Sequence, residues 1–103
     1  MRQIEKRMLE AVRNGRPFRE TNTKVAHANG NAYVWLYDTI IYANVDGREY
    51  YSDGGYKTQT TGSRLRALGA RYSITPKNCE VELAPQDVMR SMWRKDISGE
   101  PKA

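Results

Sequence analysis

The chain has 103 residues, 39% of them hydrophobic and 28% charged, a balance that excludes disorder and predicts one globular domain with one modest core. One cysteine, Cys79, and one histidine, His27, exclude an internal disulfide and leave no Cys/His set for a zinc site. The net charge of +5 points toward an anionic partner, with a solvated basic face as the alternative.

The first stretch, "RQIEKRMLEAVRNG", has Ile4, Met8, Ala11 and Val12 at helical spacing, with Arg2, Lys6, Arg7 and Arg13 on the remaining surface. Gly15 suits a C-terminal cap and Pro17 stops the helix. Its charges are spread evenly, unlike the apolar segment of a signal peptide. No apolar run approaches the roughly 18 residues that span a bilayer. The expectation is a soluble, cytoplasmic protein with no membrane partner.

From Phe18 the period changes to two. "RETNTKVAHA", "AYVWLY", "IIYANV" and "REYYS" read as four strands joined at "NGN" (29–31), "DT" (38–39) and "DG" (46–47), an antiparallel meander. On the second strand Tyr33, Trp35 and Tyr37 share one face and Val34 and Leu36 the other. If Val34 and Leu36 face the core, the aromatics form a base-stacking or partner surface, which Tyr42 and Tyr50 or Tyr51 could join. The competing reading has helices or a second subunit covering that face.

"SDGGYKTQTTGSRLRAL" (52–68) passes from two glycines into a helix over roughly 60–70, with Leu65 and Leu68 as apolar contacts and Thr60 or Thr61 as N-cap. Residues 54–79 hold Lys57, Arg64, Arg66, Arg71 and Lys77 and no acid. The stretch lacks the Lys and glycine spacing of a P-loop, and no G-x-G-x-x-G is present, so no nucleotide cofactor is expected. The free N–H groups of a helix start, with hydroxyls and arginines nearby, attract anions. A Thr cap that satisfies those donors internally is the alternative. "RYSI" and "CEVELA" predict a further hairpin around "TPKN". "PQDVMRSMWRK" predicts a short helix whose stripe of Val88, Met89, Met92 and Trp93 packs on the core or, with Arg90 and Arg94, anchors a partner.

His27 has no Ser, Cys or acid partner in a motif, and Asp38, Asp46 and Asp53 stand at turns, where Asp is favoured for backbone reasons. Neither a catalytic set nor a metal site is indicated, so a non-enzymatic protein without cofactor is expected.

Asn22, Thr23 and Val25, followed by Gly55, Thr58, Thr60, Thr61, Arg64, Leu65 and Ala67, resemble a family of small uncharacterised bacteriophage and plasmid proteins. Its members carry "N-T-x-V" and then "GW-x-T-x-TT-x-x-RLNA". Tyr56 stands where the family usually has Trp, and Arg66 where it usually has Asn. The resemblance implies a phage-type accessory protein and brings no activity or binding residues with it.

The fold class predicted is α+β: an antiparallel sheet of four to six strands with N-terminal, short central and C-terminal helices. Residues 1–97 form the single domain and 98–103 a flexible tail. The function expected is a basic accessory protein that binds nucleic acid through backbone phosphates, using Lys57, Thr60, Thr61, Arg64, Arg66 and Arg71. Tyr33, Trp35 and Tyr37 form the stacking or partner surface. The alternative is a protein that binds and modulates a host enzyme acting on nucleic acid or in defence. Either a monomer or a homodimer fits.

Overall fold

"NAYVWL" has no polar face: every side chain but the first is apolar, and such a strand is stable only when covered on both sides. A computed structural model, which describes residues 2–98, places it as β3 (Asn31–Leu36), buried along its whole length at the centre of a five-stranded sheet. The other strands are β1 (Phe18–Glu20), β2 (Thr23–Ala28), β4 (Thr39–Val45) and β5 (Arg48–Tyr51), all antiparallel in the order β1-β2-β3-β4-β5. Three helices complete the fold: α1 (Gln3–Asn14), α2 (Gln59–Ala67) and α3 (Gln86–Ser98). The expected α+β meander with three helices is therefore the observed architecture.

Turn chemistry sets the register. Asn29 and Gly30 (φ 54° and 79°) and Asp46 and Gly47 (φ 54° and 84°) both take the left-handed pairs that two-residue hairpins require. The run "RETNTKVAHA", expected as one strand, is instead a hairpin. Thr21 (φ 52°) reverses the chain, and Glu20 pairs with Thr23, which adds the fifth strand.

A bulge in β4 decides which side chains face which way. Val34 pairs with Tyr42 but Trp35 with Ile40, leaving Ile41 as the extra residue. Ile41 and Tyr42, neighbours in sequence, consequently face the same side of the sheet. That side is covered by α1 and α2, with Met8, Ala11, Leu65 and Leu68 packed on Val25, Val34, Leu36, Ile41 and Tyr42. The opposite side carries Tyr33, Trp35, Ile40 and Ala43 under Met89, Met92 and Trp93 of α3. The sheet is thus the middle of three layers.

Two expected local features differ. The hairpin of "RYSI" and "CEVELA" does not form: a single 3₁₀ turn (Pro76–Asn78) stands between them, and the later residues bond to β5 instead. One backbone bond joins the two segments, from the Glu80 N–H to the Arg71 carbonyl at 2.9 Å, and at the open edge of the sheet the Ala84 N–H donates to the Tyr51 carbonyl at 2.7 Å. The cap of α2 is Thr58, not Thr60 or Thr61; its Oγ1 accepts from the Thr61 N–H at 3.1 Å. Of the tail expected over 98–103, Ser98 is the last residue of α3 and the remainder lies outside the described residues.

Candidate nucleic-acid interface

A nine-residue helix laid on a sheet has an inner and an outer side, and the two arginines of α2 fall on different ones. Arg64 is inside, 3% exposed. Its Nη1–H donates to Glu5 Oε2 at 2.8 Å, its Nε–H to Thr23 Oγ1 at 3.1 Å, and its Nη2–H to Asn22 Oδ1 at 3.4 Å. The Ser63 hydroxyl donates to the same Glu5 oxygen at 2.5 Å, and the Arg2 N–H to the other at 3.3 Å. Burial pushes the Glu5 carboxyl up, but these hydrogen bonds together outweigh it and hold it below its ordinary value. Arg64 therefore joins α1, β2 and α2 from within, and a phosphate at the surface does not reach it. That corrects its expected place in the anion-binding set. Thr61 is buried in the cap beside Thr58, so its hydroxyl is also turned inward.

Arg66 is outside. Its guanidinium lies along the helix over Gly62, where a Cβ would stand 2.9 Å from Nη1. Lys57 is exposed just before the helix, and Thr60 is half-buried in its first turn. Arg71 is exposed and faces Glu80 at 3.4 Å, a pair in which both side chains are mostly in water. Beside α2 on the same sheet face, α1 exposes Lys6, Arg7 and Arg13. Arg7 is paired with Glu20 at 2.8 Å. Across the two helices Glu10 is the only exposed acid, against Lys6, Arg7, Arg13 and Arg66. Sequence reading missed Lys6 and Arg13 as neighbours of α2. Their position opposite Met8 on an amphipathic helix marked them as outward, but nothing in the sequence placed the two helices side by side.

Tyr33 and Trp35 are not an open stacking surface. Trp93 of α3 meets both edge-on, with ring centroids 5.0 Å and 4.7 Å away, and Tyr33 and Trp35 are 0% and 6% exposed. The Tyr33 hydroxyl donates to Asp96, which also accepts from the Asn31 amide at 2.9 Å. Burial, followed by that carboxylate, raises the Tyr33 phenol well above its ordinary value. The Met/Trp stripe of α3 is thus the cover of the aromatic face. Of the three expected residues only Tyr37, at the β3–β4 tip, is exposed.

Of the remaining candidates, His27 and Asp53 are held internally, while Asp38 and Asp46 are exposed. His27 Nε2–H donates to the Ala11 and Arg16 carbonyls at 3.0 and 3.1 Å, closing the C-terminal end of α1. Asp53 accepts from the Gly55 N–H and the Tyr72 hydroxyl, both at 2.9 Å. Among the described residues no group of three or more His, Cys, Asp or Glu is placed to hold a metal, and no helix is long and apolar enough to cross a membrane.

The fold and this surface define a small α+β protein whose paired helices turn a basic face outward. It is a bacteriophage protein: the family model described as Kyanoviridae Gp96 protein matches residues 1–98, and the chain belongs to that family. No curated protein and no solved structure matches it.

Proposed function

We propose that this phage protein is a non-enzymatic nucleic-acid-binding protein that grips backbone phosphates with the outer face of the α1–α2 layer. The observation that carries the reading is the charge of that face, where four exposed cations stand against Glu10 alone on the two helices. Lys6, Arg13 and Arg66 are the proposed phosphate contacts, with Lys57 at the start of α2. Arg71 contributes more weakly because Glu80 competes for it. With backbone phosphates as the contacts, binding is salt-dependent and tolerant of sequence.

The test is fluorescence anisotropy with single- and double-stranded DNA and RNA of 20 nucleotides at several salt concentrations. Binding should weaken steeply with salt. Lys6→Gln with Arg66→Gln should lower the slope of log K against log salt by roughly 2, about one for each phosphate no longer neutralised. Salt-insensitive binding, or none, would sink the proposal. Arg64 is unsuited to this test, since its removal acts on the fold.

A further inference from the structure

We propose that the cleft between the β3–β4 tip and the start of α2 is a docking site for an arginine side chain presented by a basic segment of a protein partner. The cleft has a volume of about 370 Å³, at the small end of ligand pockets. Leu36 and Ile41 line its interior, and Tyr37 and Tyr56 flank it from separate turns. These tyrosines are the two most exposed large apolar side chains among the described residues, at 73% and 63%. Asp38 is exposed at the rim, and its carboxylate makes no hydrogen bond or ion pair among the described residues. Among the described residues no Lys or Arg lines the cleft itself; Arg19 and Lys24 line the adjoining cleft that Tyr37 and Asp38 also border.

Its geometry is preset at a conformational cost. Tyr37 holds φ 55°, a left-handed conformation that a bulky residue rarely adopts. Gly54 holds φ 61° and approaches Thr39 so closely that a Cβ would stand 2.6 Å from its Cγ2. The Tyr56 N–H donates back to the Asp53 carbonyl at 2.9 Å, closing the glycine turn that presents the ring. From α3, Arg90 Nη2–H donates to the Asp38 carbonyl at 2.6 Å and pins the tip. Two tyrosine faces with a carboxylate beside them suit a planar guanidinium, which stacks on aromatics and pairs with the acid. The basic α1–α2 face repels such a partner, whereas Asp38 offers it a carboxylate at the cleft rim. The inference does not rest on nucleic-acid binding.

The experiment titrates the full ¹⁵N-labelled chain with an N-acetylated hexa-arginine amide, the matching hexa-citrulline peptide and a 12-nucleotide oligo-dT. The arginine peptide should shift the amides of Tyr37, Asp38, Gly55 and Tyr56, and the citrulline peptide should not. Tyr37→Asn, which removes the ring but suits the left-handed backbone, and Tyr56→Ala should each weaken binding about tenfold. Lys57→Glu should tighten the peptide while weakening nucleic acid, so the two readings fail separately. Equal shifts from the citrulline peptide would overturn the assignment. So would shifts of these amides by oligo-dT, which would make the cleft a nucleobase site. No shift at millimolar arginine peptide, or undiminished binding by both tyrosine variants, would overturn it as well.

Discussion

The two sides of the sheet keep polar groups in their interiors by different means. Beneath α1 and α2 the polar centre is an ion pair, Glu5 and Arg64, with Ser63, Thr23, Asn22 and the Arg2 backbone filling the remaining valences. Beneath α3 the centre is Asp96, which accepts from the neutral Asn31 amide and Tyr33 hydroxyl, and the surrounding area is aromatic. The first arrangement ties α1, β2 and α2 together through directional contacts. The second holds one helix to the sheet mainly through area and edge-on rings. A charge network of this kind tolerates neither loss of one partner nor a change in its protonation, whereas an aromatic face is sensitive to lost volume.

The sharpest break in that contrast comes from removing one charge. Arg64→Ala should cost about 3–5 kcal/mol, because Glu5 is left buried and unpaired; Glu5→Leu with Arg64→Met should recover most of that stability. Urea denaturation measures both, and a cost below about 1 kcal/mol for the single change would mean the pair is not sealed from water. On the other face, Met89→Ala removes a fully buried side chain and should cost about 3 kcal/mol by the same measurement.

Acid probes the Glu5 side through one carboxyl, whose shift bounds the effect. The folded Glu5 carboxyl sits below its ordinary value of 4.5, so its contribution is present above that pH and is lost as pH falls through the folded value. Glu5→Gln should therefore flatten the acid limb of a stability–pH curve, and an unchanged limb would refute the role given to Glu5. Thr58→Ala deletes the α2 cap seen at 3.1 Å and should cost about 1 kcal/mol in thermal unfolding. Smallest of all, Arg71→Ala removes only the exposed pair with Glu80 and should stay within about 0.5 kcal/mol of the parent.

Much of the fold was legible locally. The hairpin turns at Asn29-Gly30 and Asp46-Gly47 carry their backbone requirement in residue type, and the Met8 and Met89 stripes mark the inner sides of their helices. The split at Thr21 was not legible, because a threonine in the left-handed region carries no signal of its own. The candidate site was read less well than the fold. Arg64 and Arg66 stand two residues apart with the same side chain, and composition cannot say which one meets a buried acid 59 residues away.

By itself, then, the sequence determined the helical period of α1 and α3, the turns between the central strands and the excess of positive charge, all of which are properties of neighbours along the chain. The tertiary structure alone decided that α3 covers Tyr33 and Trp35, that Arg64 is interior, and that α1 and α2 combine into one basic surface. Each of those depends on which distant faces pack together, and the bulge at Ile41 adds a further one by turning Ile41 and Tyr42 to the same side of β4.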